Sequence, residues 1–516
     1  MIDASPPSDE LLTSFWAYEH DLISNHVTAL ANWFLDSATA IRSDPTALLS
    51  GRGDIAEFRR LRPPPGVRTV ERLHHRRISA DAAALIAETR TPSGTGSTQL
   101  QLWQLTVDGW RIAVAQVMPT PAAPVPTPIP AADRTVWREH GTPLLPSTAD
   151  GSLSGTRIAV KDLFALPGHR VGAGNPDWLA DAPVETNAAT AVDDLLNAGA
   201  EVAGITQTDE LAFALAGANA HYGTPPNPRA PGRIPGGSTS GSAAAVASGA
   251  AEIGLGTDTA GSIRVPASYC GLYGLRTTHG VVSRAGLTGL ASSFDTVGFL
   301  TREVATLRAV ARAARLPEPA QPVRTLLVVS EFVGLADLEV QESFQAAVLA
   351  LSGRKRLPVR VIASLSDGAL DTWLEAFRTM QAIEAWQLHA DWLKTHPTSL
   401  GPAVQARFDI GAAVTPAQRE AVESIAAEAR ARIIEAVPPG TALLLPATSG
   451  PAPVRDLDPA AMEAVRTATL KLTFLASVSG LPAISAPLLA RGPLPVGLSA
   501  IGASGTDADL IELVAP

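Results

Sequence analysis

Apolar residues recur at helical spacing over residues 8–35, at Leu11, Leu12, Phe15, Trp16, Leu22 and Ile23, and predict an amphipathic helical stretch. A strand-like texture follows. The runs TQLQLWQLTV (98–107) and WRIAVAQV (110–117) flank Asp108-Gly109, a strong short-range hairpin signal. A helix followed by antiparallel strands predicts a small α+β domain. Six prolines in PTPAAPVPTPIP, residues 119–130, are incompatible with a helix or a central strand and predict a semi-rigid extended linker. Beyond it, RIAVKDLF (157–164), AEVAGITQT (200–208), ALLLPAT (442–448) and LPAISAPLL (481–489) alternate with alanine-rich helical stretches, the pattern of an α/β layered domain. Residues 410–437 predict one long amphipathic helix or two, with a solvated charged face. No internal repeat is visible. The expected division is a domain over 1–118, a linker over 119–133 and a larger domain over 134–516.

Composition narrows the function classes. The chain has 516 residues, 46% of them hydrophobic, enough for a large core and more than one domain. A net charge of −10 argues against a nucleic-acid surface, which needs clustered basic charge. A single cysteine, Cys270, excludes an internal disulfide and a zinc finger and suits a reducing cytoplasm. The start, MIDASPPSDE, has neither a basic n-region nor an apolar h-region, and no run of 18 apolar residues occurs. A cytoplasmic protein with no secretory signal and no membrane span is expected.

The chemistry narrows by elimination. GxxxxGK[ST], GxSxG and HExxH are all absent, which removes the P-loop, the nucleophile elbow and the zinc protease helix. Three features remain. Lys161 ends the apolar run RIAVK, one of four lysines against 36 arginines. A buried lysine can lose its proton and act as a base, which arginine cannot; a strand-end lysine reaching for water would look the same. PGGSTSGSAAAVASGAAE (235–252) runs from glycines and serines straight into a helix of small residues. GLGTDTAGSIRVPASYCG (254–271) surrounds Ser262 with small residues. Such a backbone can aim N–H groups at an oxyanion, or simply form a tight strand-to-helix turn.

Together, GGSTSGSAAAVASG, GLGTDTAGSIRVPASYCG and GLRTTHGVVS (274–283), with Lys161 upstream, resemble the amidase signature family of serine hydrolases. The likeness spans about residues 140–516, and GLPAISAPLLARGPLPVGLSAIG looks like the family's C-terminal strand pair. The resemblance implies a layered α/β fold with a mixed central sheet flanked by helices. It implies a triad of Ser262 as nucleophile, Ser238 as bridge and Lys161 as base, with the bridge held through a cis Gly237–Ser238 peptide. It also implies an oxyanion hole of Thr259, Ala260, Gly261 and Ser262 amides and an acyl-enzyme route, with no metal or other cofactor. Thr239 and Ala260 depart from the commonest family residues, serine and glycine, and should alter only pocket shape. Asp258 and Arg264 are expected to pair and fix the nucleophile loop. The first 118 residues, through EFRRLRPPPGVR and GWRIAVAQV, resemble the AtzH-like domains of the cone-shaped α+β superfamily, which implies a buttressing or dimerising role. The expected function is hydrolysis of a small amide or ureido C–N bond by a homodimer, without nucleic-acid or membrane partners. DELAFALAGANAHYGTPPNP and GNPDW look like the subgroup that includes indole-acetamide hydrolases. Carboxybiuret- or allophanate-type ureides are near neighbours. The other readings are an amidotransferase subunit and a silent scaffold. Cys270 is expected to be a packed thiol, His279 structural, His74 and His75 surface or strand residues, and His221 a pocket-liner or a turn cap.

Overall fold

A computed structural model describes residues 7–44, 47–61, 68–91, 96–119 and 133–516. The chain forms two compact units, Met1–Val125 and Pro126–Pro516. Most of the expected 119–133 linker lies outside the described residues.

The first unit has strands β1 (Ile41–Asp44), β2 (Ala47–Ser50), β3 (Thr69–Arg77), β4 (Ala82–Arg90), β5 (Gly96–Thr106) and β6 (Gly109–Pro119). They form one sheet in the order β2-β1-β6-β5-β4-β3, antiparallel except where β1 meets β6. The helix Asp9–Ile23 buries Leu11, Phe15, Tyr18 and Leu22, while Trp16 is half exposed. The helical stretch breaks at Asn25, whose φ is +55°, and resumes over Val27–Asn32. Ala83, Leu85 and Ala87 of β4 are buried in alternation, the period-two face of a sheet covered on one side. In β5 the buried face takes Gln99, Gln101 and Trp103, so Leu100 and Leu102 lie on the other face. Gln101 accepts the Trp103 indole N–H at 2.9 Å, and the Arg68 guanidinium donates to Gln99 at 3.0 Å and to the buried Glu19 carboxylate at 2.8 Å. The β5–β6 hairpin pairs Thr106 with Gly109, one residue off the expected turn: Val107-Asp108 spans it, and Gly109 takes the positive φ of +97°.

The second unit has β7 (Trp137–Leu145), β8 (Arg157–Lys161), β9 (Glu201–Thr206), β10 (Ile253–Asp258), β11 (Tyr273–Arg276), β12 (Thr296–Thr301), β13 (Thr325–Val329), β14 (Val359–Ile362), β15 (Thr441–Pro446), β16 (Ala483–Arg491) and β17 (Leu494–Ile501). They make one mixed sheet in the order β14-β13-β15-β17-β16-β11-β12-β10-β8-β9-β7. β10 and β12 are buried at every position, as expected of strands covered on both faces. The helix Ser240–Ser248 follows the Gly-Ser segment and is buried from Ser240 to Ala247. It fits because its residues are small: a Cβ on Gly241 would meet the Val136 carbonyl oxygen at 2.6 Å. The 410–437 region is two helices, Pro402–Ala413 and Pro416–Ala436. Val414 caps the end of the first, Thr415 opens the second with a capping box to Gln418, and Pro416 occupies the first turn, where its missing N–H costs nothing.

Candidate active site

Parallel pairing of β8 with β10 sets Val160 beside Leu255, so Lys161 and Thr257 emerge together at the carboxyl ends of neighbouring strands. Open α/β sheets place their ligands at such ends. Lys161 is fully buried. Its Nζ lies 2.8 Å from Ser238 Oγ and 2.8 Å from Thr257 Oγ1. Burial pulls its pKa down to about 7, against the opposing pull of Asp209, Asp295 and Asp258. At neutral pH a large share of the amine is therefore uncharged.

Ser238 is also fully buried. Its carbonyl accepts the Thr208 hydroxyl at 2.8 Å and the Asp209 amide at 3.3 Å, and the Gly237–Ser238 peptide is cis. Gly237 is required by space, since a Cβ there would meet Asp209 Oδ2 at 2.2 Å. The Thr239 hydroxyl donates to the Thr257 carbonyl at 3.3 Å, tying the Ser238 segment to β10.

Ser262 follows β10 on the loop that leads into the helix Arg264–Cys270. Its hydroxyl makes no hydrogen bond among the described residues, and it is 3% exposed. The loop is folded around Asp258. One carboxylate oxygen accepts the Gly261 amide at 3.0 Å and the other the Ile263 amide at 3.2 Å. Arg264 adds two charge-assisted bonds at 2.8 and 3.0 Å, and Arg276 a third at 3.1 Å. Burial alone would raise the Asp258 pKa, but Arg264 and Arg276 outweigh it and hold the carboxyl well below the usual range. The Gly261 amide is thus already committed to Asp258, while the Thr259, Ala260 and Ser262 amides have no hydrogen-bond acceptor among the described residues. Thr259 is fixed from its side chain, whose hydroxyl donates to Asp295 at 2.6 Å. Arg264 also donates to the Thr473 carbonyl at 2.6 Å, and the Thr473 hydroxyl donates to the Ala260 carbonyl at 2.6 Å.

Thr257, Asp209, Arg276 and Thr473 escape the sequence reading. Thr257, Asp209 and Arg276 each lie inside a quoted motif, Thr257 one residue from Asp258; only Thr473 comes from outside them, on the helix Pro459–Ser479. Among the remaining residues singled out, the Cys270 thiol is buried, donates to the Pro235 carbonyl at 3.3 Å, and is pushed up in pKa by burial. His221 pairs with buried Glu210 at 2.6 Å, and its amide is held by Asn219 at 2.7 Å. The half-buried His279 donates its ring Nε2–H to the Ser292 carbonyl at 3.0 Å and its amide to the Gly480 carbonyl at 3.1 Å. His74 faces Glu88 across β3 and β4 at 2.7 Å.

Fold and site define an α/β enzyme with an amine and hydroxyls gathered at the carboxyl ends of parallel strands. The chain belongs to the Amidase family, whose sequence profile matches residues 139–511, and residues 2–121 match the AtzH-like family. It is 34% identical over 402 residues to Amidase 1 of Arabidopsis thaliana, covering 72% of this chain and 95% of that protein. A crystal structure of an amidase superposes with a TM-score of 0.63 at 31% identity, over 71% of this chain and 84% of the other. An inhibitor-bound complex described as revealing the evolutionary origins of an s-triazine catabolic enzyme also matches, with a TM-score of 0.63 at 28% identity over 70% and 83% of the two chains. The protein is an amidohydrolase of C–N bonds. Among the described residues, no helix is long and apolar enough to cross a membrane.

Proposed function

We propose that the protein hydrolyses a small carboxylic amide or ureide to the acid and ammonia or an amine through Lys161, Ser238 and Ser262. The observation that carries this reading is a fully buried, partly neutral Lys161 within 2.8 Å of the Ser238 hydroxyl. The lone pair of neutral Nζ takes the Ser238 proton, and Ser238 Oγ takes the proton of Ser262 once the Ser262 hydroxyl, unbonded among the described residues, turns to it. Ser262 Oγ forms its bond to the amide carbon, and the carbonyl electrons move onto oxygen. The Thr259, Ala260 and Ser262 amides receive that oxyanion, each such donor being worth about 3 kcal/mol of barrier. The proton returns along the same route to the leaving nitrogen as the C–N bond breaks. Water then attacks the ester, again giving its proton to the relay, and Ser262 is released with the carboxylic acid. Asp258 and Arg264 hold the nucleophile loop and do not touch the reacting atoms.

Ammonia release from a panel of small amides, without ATP or partner subunits, tests the reading and separates it from an amidotransferase subunit or a silent scaffold. Ser262→Ala and Lys161→Ala are each expected to lower kcat/KM by on the order of 10⁴-fold or more, with the far-UV circular dichroism of the wild type retained. Wild-type rates in either variant would remove that residue from the mechanism.

A further inference from the structure

Two recesses in the second unit meet at one side chain. The first is apolar, walled by Leu215, Ile234, Val265, Tyr269 and Thr469, and ends on Arg466. The second holds Arg378, Arg407 and Arg466 beside Phe213 and Glu375. The apolar recess adjoins the candidate catalytic loops on two sides. The Leu215 carbonyl accepts the Gly237 amide at 2.8 Å, next to Ser238. Thr469 lies one helical turn before Thr473, the residue bonded to the Ala260 carbonyl. Arg466, Thr469 and Thr473 share one face of the helix Pro459–Ser479, spaced i, i+3, i+7. Arg466 therefore stands two turns, ~10.5 Å along the axis, from Thr473, which is bonded to the Ser262 loop.

The arginines are incompletely answered. Arg466 donates to Glu463 at 2.8 and 3.2 Å, but its buried Nε has no hydrogen-bond partner among the described residues. Arg378 reaches Glu463 only at 3.7 Å. Among the described residues Arg407 has no carboxylate partner: it donates to the Phe213 carbonyl at 2.5 Å and lies 6.0 Å from the centroid of the Phe213 ring. Burial and the neighbouring Arg466 push the Arg407 pKa down to about 10, against the pull of Asp209 and Glu463. Glu375, Glu463 and Asp209 offset the three guanidinium charges, but among the described residues Arg407 contacts no carboxylate and Arg466 keeps an unpartnered Nε, so donors in this partly desolvated recess are left unanswered. An anion answers them, and guanidinium forks match a carboxylate.

We infer that the substrate carries an ionised carboxylate at the end of its acyl chain remote from the scissile amide, held by Arg407 and Arg466, with the apolar recess taking the methylenes between. This rests on the amidase reading above and names its substrate class: the monoamides of short dicarboxylic acids and ureides of like shape.

The test compares adipamate with hexanamide, its neutral counterpart, in two measurements. In turnover, the adipamate-to-hexanamide ratio of kcat/KM is expected to exceed about tenfold in the wild type and to collapse toward one in Arg407→Met and Arg466→Met. Hydrolysis of both amides with a ratio near one would overturn the carboxylate site and leave the amidase reading standing. In binding, calorimetry on Ser262→Ala is expected to show saturable adipamate binding, weakened about tenfold or more by a further Arg407→Met. Equal binding of the two amides, or none by adipamate, would overturn the site whatever the turnover. Binding to Ser262→Ala with no ammonia from any amide in the wild type would sink the amidase reading instead.

Discussion

The proposed chemistry turns on Lys161, whose environment and not its type would make it a base. A lysine in water is charged at every physiological pH; one wholly buried against two hydroxyls sits at a pKa of about 7. The sign of the resulting pH dependence follows. Only the neutral amine accepts a proton, and its fraction grows as pH rises through about 7. The logarithm of kcat/KM is expected to climb with pH below that point and to level above it, measured by ammonia release across a buffer series. A profile already flat from pH 5 upward would show the amine is not the titrating base. The lysine and both serines are legible in the sequence as motif positions. The value of the pKa is not, since it comes from packing that excludes water from Nζ and from carboxylates carried on other segments.

At the scale of elements, the site exists because β8 and β10 run side by side in parallel, although about a hundred residues separate them. Alternation of apolar runs with alanine-rich stretches announces such a sheet, and LPAISAPLL does become one arm of the β16–β17 hairpin. Local chemistry decides other features. Thr415, Pro416 and Gln418 divide the 410–437 region into two helices because an N-cap hydroxyl and a proline both start a helix there. Thr415→Ala is expected to cost about 1 kcal/mol, read as a lower midpoint in urea unfolding with an unchanged slope. In β5, by contrast, the simple rule that leucines face inward fails: Gln99 and Gln101 take the buried face. The pattern could not announce this, because it depends on Glu19, Arg68 and Trp103 arriving to satisfy the amides.

Across the whole molecule, the Ser262 loop is the meeting point of segments far apart in sequence. Asp258 gathers Arg264 and Arg276, and Arg264 extends to Thr473 on a helix some two hundred residues further on. All three charged groups are buried, so removing the carboxylate leaves two guanidinium groups without their counter-charge. Asp258→Ala is expected to destabilise the fold by roughly 3–5 kcal/mol, checked by chemical denaturation. Loss of activity without loss of stability would mean that Asp258 acts on the reaction and not on the loop. By itself, the sequence determined the succession of helices and strands, the presence of a second, α+β unit, and the residue types available for hydrolysis, because periodicity, proline placement and motif spacing are local properties of the chain. Only the tertiary structure decided which amides remain free around Ser262, that Thr257 and Asp209 stand behind Lys161, and that three arginines share a recess near the site, because hydrogen-bond commitment, desolvation and charge balance depend on neighbours that the chain brings together only when it folds.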